Sequence, residues 1–180
     1  AIKRSTTSGA SKVSRMTRMK QMDAVKRHIR LSMELVMCMV CAMAFGLAAV
    51  AVNFAPLFYG DDFAYSGTLM MPLAFTLLSI GFANVIRTQW VLPQGRDTIF
   101  VHSVLTGAVI NLIANFVLIP PFGAMGAAAA TVLAEFSVPA VQFVYLRKEL
   151  PYAQYLKTTG VYCLFGLVMA GAVVLLGHVL

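Results

Sequence analysis

Charged residues are scarce in this sequence. Only 12% of its 180 residues are Asp, Glu, Lys or Arg, whereas 59% are hydrophobic, and the mean hydropathy is +0.80. Soluble domains carry about 25% charged and about 45–50% apolar residues. The shortage of charge therefore excludes an ordinary soluble globular domain and indicates an integral membrane protein.

Cysteine and histidine are also sparse, and their placement argues against metal or redox sites. Three cysteines set no disulfide framework, and Cys38 and Cys41 lie one turn apart inside an apolar run, which is typical of two small packing residues. None of the three histidines has a companion at metal-ligand spacing. The chain also lacks a P-loop, a zinc-protease motif and a serine elbow. We therefore predict that it is not an enzyme and binds no metal or cofactor.

Basic residues are absent from long stretches and crowded into one. Nine of the fourteen lie within residues 1–30, and the other five, Arg87, Arg96, Arg147, Lys148 and Lys157, stand near the ends of apolar runs. This distribution follows the positive-inside rule and not the pattern of a nucleic-acid-binding surface. Residues 1–30 are thus predicted to be a basic cytoplasmic arm or loop that contacts anionic lipids. An amphipathic helix on the membrane and a solvated loop are alternative conformations for its second half.

The apolar runs predict the fold class. About 20 apolar residues cross a bilayer as a helix, and five runs have this character: 31–53, 66–92, 98–119, 123–146 and 157–179. We predict an all-α integral membrane protein whose transmembrane bundle occupies residues 31–180. The connections at 54–65 and 120–122 lack Lys and Arg, so they are assigned to the periplasm together with the C-terminal end. The odd number of spans and the missing initiator Met predict a fragment of a larger protein, which the resemblance described below identifies as a transporter.

A carboxylate and a proline stand together inside the fourth predicted span. An acid near the bilayer centre is costly and usually faces a cavity or a partner, which makes Glu135 a candidate pathway residue. Pro139 has no N–H and clashes with the carbonyl four residues earlier, that of Glu135. We therefore expect a kink with a free carbonyl beside the carboxylate, where a proton, a sodium ion or a sugar hydroxyl could bind. A protonated Glu135 bonded to a neighbouring helix is the structural alternative.

Other polar residues inside the predicted spans complete the set of candidates. Arg87 lies one to two turns from the end of the second span and could bind phosphate or extend to the interface. Asn111 and Asn115 share one face of the third span, a spacing typical of helix–helix hydrogen bonding. Pro72 predicts a second kink. The candidate pathway residues are Glu135, Arg87, Gln89, Asn84, Asn111 and Asn115.

Several stretches resemble a known family. The order "PLFYGDDFAYSG", "NVIRTQWVLPQGRD", "NLIANFVLIPPFGAMGAAAATVLAE" and "VYLRKELPY" is similar to the C-terminal half of bacterial polysaccharide and O-antigen repeat-unit flippases. These belong to the multidrug/oligosaccharidyl-lipid/polysaccharide exporter superfamily. The resemblance covers roughly residues 25–175 and implies a six-helix-type transporter lobe around a central cavity.

The resemblance also implies a function. Such a protein translocates undecaprenyl-pyrophosphate-linked oligosaccharide repeat units across the bacterial inner membrane for surface polysaccharide synthesis, including lipopolysaccharide and exopolysaccharide. The implied partners are the lipid-linked oligosaccharide and a coupling ion, H⁺ or Na⁺. Two alternatives stay open: an ion-coupled multidrug antiporter of the same superfamily and a membrane scaffold subunit that transports nothing. Basic cavity residues would favour the flippase, and acidic or aromatic ones the antiporter.

Overall fold

The computed structural model describes the backbone of residues 3–179 and the side chains of residues 16, 17 and 19–177. Every regular element in this part of the chain is helical, so the all-α fold class is confirmed. The elements in chain order are α1 (Lys3–Tyr59), a 3-10 helix (Asp61–Phe63), α2 (Ala64–Ala74), α3 (Thr76–Ile86), a π-helix (Arg87–Val91), a second 3-10 helix (Leu92–Gln94), α4 (Asp97–Leu146) and α5 (Tyr152–Val179).

Helix α1 forms one side of the core. Its buried residues recur at helical spacing, so that a single stripe faces α2, α3 and α5. The stripe comprises Ile29, Met33, Met37, Cys41, Ala44, Ala48, Ala51 and Ala55. The small residues at its C-terminal end allow close approach of neighbouring helices, because the backbone of Ala51 lies directly against Gly67 of α2.

The basic arm is continuous with the first membrane-crossing helix. Its backbone is helical from Lys3 onward without a break at residue 30, so the arm and the first predicted span form one element of 57 residues. At about 1.5 Å per residue, this helix is much longer than a hydrocarbon core of about 30 Å. Residues 1 and 2 lie outside the described part, and the side of the membrane on which the arm lies stays a prediction.

The second crossing is built from short pieces. Helices α2 and α3 meet at Phe75, three residues after Pro72, where the Phe75 N–H donates to the Pro72 carbonyl at 3.2 Å. The π-helix and the second 3-10 helix then follow α3. The left-handed Gly95 (φ 65°) ends this segment, a conformation that glycine adopts without steric cost.

The number of crossing segments corrects a prediction. Four segments of the described chain are long and apolar enough to cross a membrane: Met19–Tyr59, Asp61–Gln94, Asp97–Leu146 and Tyr152–Gly177. Five spans were predicted, and this count is not matched, because the third and fourth predicted spans both fall within α4. Helical geometry continues through Pro120 and Pro121, so the break expected at residues 120–122 falls at Gly123 instead.

Helix α4 nevertheless contains a sharp reversal. Gly123 has non-helical torsion angles (φ 56°, ψ −132°), which favour glycine. Beyond it, Gly126 lies against the backbone of Leu118, and Gly107 approaches Val138. A side chain at Gly126 would therefore collide with the first arm. We call residues 97–122 and 124–146 the first and second arms of α4.

Candidate functional site

A polar groove lies between α3 and the two arms of α4. Its volume is about 560 Å³. The helices that line it belong to membrane-crossing segments, so its polar side chains stand inside otherwise apolar helices. The lining residues are Ile80, Ala83, Asn84, Arg87, Phe100, Val104, Gly107, Ala108, Asn111, Ala134, Glu135, Val138 and Gln142.

The groove brings together four of the six predicted pathway residues. Asn84, Arg87, Asn111 and Glu135 line it, although they come from three different predicted spans. Gln89 does not, because it lies on the other side of the π-helix, in a separate cavity with His28 and Ile29 of α1. Asn115 does not line the groove either.

Arg87 occupies the first position of the π-helix. A π-helix is uncommon and occurs frequently at functional sites. The Thr88 hydroxyl donates to the Asn84 carbonyl at 2.7 Å. This bond supplies a donor to one backbone carbonyl near the change from α-helix to π-helix. The Arg87 guanidinium carbon lies 4.8 Å from the centroid of the Phe100 ring, within the range of a cation–π contact. Its Nε is buried and has no acceptor within the described part of the chain.

Glu135 and Pro139 form an arrangement that differs from the predicted one. The Glu135 carbonyl, which Pro139 deprives of its usual helical donor, accepts a hydrogen bond from the Ser79 hydroxyl of α3. The carbonyl is therefore bonded and not free, as the sequence predicted. The helix continues through Pro139 without interruption. Within the described residues, the Glu135 carboxylate itself forms no hydrogen bond or ion pair.

The charges of Arg87 and Glu135 share the groove without touching. Glu135 and Gln142 are seven residues apart on one helix, about 10 Å along its axis. Arg87 contacts Phe100 at the end of the groove that Gln142 occupies. Arg87 is therefore separated from Glu135 by about two helical turns. Within the described residues, the ion pairs are Arg30–Glu34 and Arg96–Glu149. Arg87 and Glu135 therefore form no direct ion pair in this part of the chain.

Asn111 and Asn115 bond to each other and not across helices. The Asn115 side-chain amide donates to the Asn111 side-chain oxygen at 2.8 Å, so the pair satisfies part of its hydrogen bonding within the first arm. The predicted bond to another helix is absent among the described residues. The arrangement leaves Asn111 at the groove and Asn115 beside it.

Gln142 is a groove residue that the sequence analysis did not single out. Its side chain is 1% exposed, and its Oε1 has no hydrogen-bond partner within the described part of the chain. A signal was present: Gln142 follows Glu135 by seven residues, two helical turns, and therefore lies on the same face of the helix.

A second polar cluster lies at the end of the bundle near Arg87. The Arg96 guanidinium donates to Glu149 Oε2 at 2.6 Å, and the Trp90 indole N–H donates to the same oxygen at 3.2 Å. The hydrogen bond from Arg96 lowers the pKa of Glu149 below its ordinary value of 4.5, and the Trp90 bond acts in the same direction while partial burial opposes them. Glu149 thus ties the loop between α4 and α5 to the π-helix and to the loop that precedes α4.

The two cysteines predicted to be small packing residues lie in different environments. Cys38 is exposed, whereas Cys41 is buried with its Sγ 3.7 Å from that of Cys163 on α5. Across the described residues, no group of three or more His, Cys, Asp or Glu side chains is arranged to hold a metal ion.

Comparisons with known proteins give the family. The family model described as "Lipid II flippase MurJ" matches residues 10–180, nearly the whole chain. No curated protein and no solved structure matches the sequence. The match supports a flippase of lipid-linked substrates in a multi-pass membrane fold, but it does not support the narrower resemblance to O-antigen repeat-unit flippases. The chain belongs to the lipid II flippase MurJ family.

Proposed function

We propose that the protein moves a polyprenyl-pyrophosphate-linked saccharide across the bacterial inner membrane, and that lipid II, the membrane-bound precursor of peptidoglycan, is this substrate. The family description supports a lipid-linked substrate. The observation that carries the proposal is the groove itself, which places Arg87 and Glu135 inside membrane-crossing helices. A charge in that position usually faces a substrate or ion pathway.

Arg87 is the proposed contact of the pyrophosphate. An arginine presents several donors in a planar fork that matches phosphate oxygens. Its contact with Phe100 holds the guanidinium at one end of the groove, and within the described residues the guanidinium has no hydrogen-bond acceptor or ion-pair partner, which leaves its donors for an anion. This cationic end favours an anionic substrate over the cationic drugs of an antiporter.

Glu135 is the proposed coupling group. Its carboxylate has no partner among the described residues, so H⁺ or Na⁺ could bind it during the transport cycle.

The charge distribution favours a cytoplasmic arm, with the exposed basic residues of α1 in contact with anionic lipids. Labelling of a cysteine introduced at Lys20 by an impermeant reagent added from outside would contradict that orientation.

The proposal is tested with the intact protein in cells depleted of their own lipid II flippase. We expect the wild type to restore growth. Arg87→Ala should lower translocation about tenfold or more, because a hydrogen bond to a charged group contributes about 1.5–3 kcal/mol. Glu135→Gln should lower translocation by a similar factor, because an amide does not take up and release the coupling ion as a carboxylate does. Arg147→Ala and Glu34→Gln are matched controls, since they remove the same charges from the exposed Arg147 and from a surface ion pair.

Expression in a second strain distinguishes between lipid II and O-antigen repeat units as the substrate. O-antigen repeat units share the polyprenyl pyrophosphate and differ in the sugars, so the same variants are expressed in cells that lack a repeat-unit flippase. Rescue of the lipid II strain alone supports the proposed substrate. Rescue of the repeat-unit strain alone would contradict it, and rescue of neither strain, with the protein present in the membrane, would contradict flippase activity.

A further inference from the structure

Two buried polar atoms in the groove lack partners. Arg87 Nε is a donor without an acceptor, and Gln142 Oε1 is an acceptor without a donor, within the described part of the chain. Leaving such an atom unpaired is destabilising, and native structures contain few of them. Their occurrence in one groove calls for an explanation that involves both residues.

Arg87 and Gln142 lie at the same end of the groove. Arg87 begins the π-helix that follows α3, and Gln142 lies four residues, about 6 Å, before the end of α4 at Leu146. Phe100, near the beginning of α4, contacts Arg87 and lines the same end. Glu135 is two helical turns farther along. The two unpaired atoms are therefore neighbours along the groove, and the carboxylate is remote from them.

The chemistry of the two side chains is complementary to a two-part ligand. Arginine only donates hydrogen bonds, whereas a glutamine amide both donates and accepts. A ligand that suits both carries an anion beside a hydroxyl or an amide N–H. A saccharide linked to a pyrophosphate has this pattern, since its first sugar is attached directly to the phosphate.

We propose that Gln142 is a specificity-determining residue that accepts a hydrogen bond from the first sugar of a saccharide whose pyrophosphate contacts Arg87. This inference rests on the proposed function, and it adds a residue that distinguishes the sugar-bearing lipid from the bare lipid. The groove, of about 560 Å³, lies within the size range of small-molecule sites. After the Gln142 amide rotates, the bound sugar supplies the hydrogen-bond donor that Oε1 lacks in this structure.

The test compares two lipids that differ only in the sugar. Binding of polyprenyl pyrophosphate with and without its saccharide is measured on the purified intact protein, and the ratio of the two affinities is the readout. A loss of folding lowers both affinities and leaves the ratio unchanged. Gln142→Leu removes the amide, Gln142→Met does so at a volume close to that of Gln, and Gln142→Glu retains an acceptor oxygen at the same distance.

We expect Gln142→Leu and Gln142→Met to weaken binding of the sugar-bearing lipid about tenfold, the effect of one lost hydrogen bond to a buried group, and to change binding of the bare lipid less than twofold. Gln142→Glu should keep the wild-type ratio, although repulsion of the pyrophosphate lowers both affinities. Arg87→Ala should lower both affinities together.

Three results would overturn the inference. A wild type that binds both lipids equally, or a ratio that stays at the wild-type value in Gln142→Leu and Gln142→Met, would show that Gln142 does not contact the sugar. A fall of the affinity ratio in Gln142→Glu to the value found in Gln142→Leu would show that an acceptor oxygen at this position does not determine the preference for the sugar-bearing lipid. A wild type that binds neither lipid would instead contradict the proposed function, so the two failures are distinguishable.

Discussion

At the scale of single residues, the contact between Ser79 and the Glu135 carbonyl explains how α4 tolerates a proline in a membrane. Pro139 removes the helical donor for that carbonyl, and an unsatisfied backbone group in hydrocarbon is costly. The Ser79 hydroxyl, 3% exposed, supplies the missing donor from α3. The bond thereby fixes the register between α3 and the second arm of α4 along one wall of the groove.

Ser79→Ala should destabilise the protein by about 1 kcal/mol, and less when Pro139→Ala is also present. Alanine at 139 has an N–H that can donate to the Glu135 carbonyl, so the serine becomes redundant. Thermal unfolding in detergent of the wild type, both single variants and the double variant gives the coupling energy, expected to be about 0.5–1 kcal/mol.

Ser103→Ala is the matched control for this cycle. Ser103 is also fully buried, but its hydroxyl donates to the Phe100 carbonyl of its own helix. Its coupling to Pro139→Ala should be close to zero. Strict additivity of Ser79→Ala and Pro139→Ala would contradict the role assigned to the hydroxyl.

The groove residues that the sequence predicted correctly are those whose side chains are energetically costly to place in a membrane, whatever their neighbours. Arg87 and Glu135 are charges, and Asn84 and Asn111 are amides inside apolar runs. Ser79 and Gln142 escaped prediction because their importance depends on which helix each one faces, and that information lies in the packing of α3 against α4. Gln89 was misplaced with the groove because the π-helix alters the face that each residue presents.

At the scale of elements, one carboxylate joins three pieces of chain at the end of the bundle. Glu149 lies in the turn between α4 and α5, and it accepts hydrogen bonds from Trp90 of the π-helix and from Arg96 of the preceding loop. The π-helix also carries Arg87. The cluster therefore stabilises the irregular turn that places Arg87 at the groove.

Glu149→Gln should lower stability by less than about 1 kcal/mol, because side chains exposed by about a third form weak ion pairs. The hydrogen bonds lower the pKa of folded Glu149. The contribution of the carboxylate is therefore fully present above its ordinary, unfolded pKa of 4.5, and it is lost as the pH falls through the lower folded value. The melting temperatures of wild type and Glu149→Gln should differ at pH 7 and converge in acid. A difference that persists undiminished in acid would contradict this assignment.

The reversal in α4 shows what composition cannot predict about elements. The sequence indicated the positions of both arms, since the predicted spans 98–119 and 123–146 nearly coincide with them. It did not indicate that helical geometry continues through Pro120 and Pro121 or that Gly123 alone leaves it. A proline at the beginning of a helix needs no donor, so two adjacent prolines mark a boundary without deciding how the chain turns.

At the scale of the whole molecule, α1 and α5 join the two ends of the described chain. They pack along a shared face on which Phe45 lies directly against Gly166, and Cys41 faces Cys163. The outward face of α5 is largely exposed and apolar, as is usual for a helix that meets lipid or further helices. The α1–α5 contact is therefore what closes the bundle on that side, and it can be tested independently of transport.

Oxidation with copper phenanthroline should link Cys41 to Cys163. Their Sγ atoms lie 3.7 Å apart, and a disulfide of about 2.05 Å requires a shift of under 2 Å, which side-chain rotation can supply. With a protease site introduced at Gln94, the two fragments should stay together without reductant and separate after it. Cys41→Ser should abolish the link although Cys38 is retained, because Cys38 is exposed on a different face of α1. A link that survives in Cys41→Ser would mean that α1 is rotated about its axis, which would also remove the buried stripe from the core.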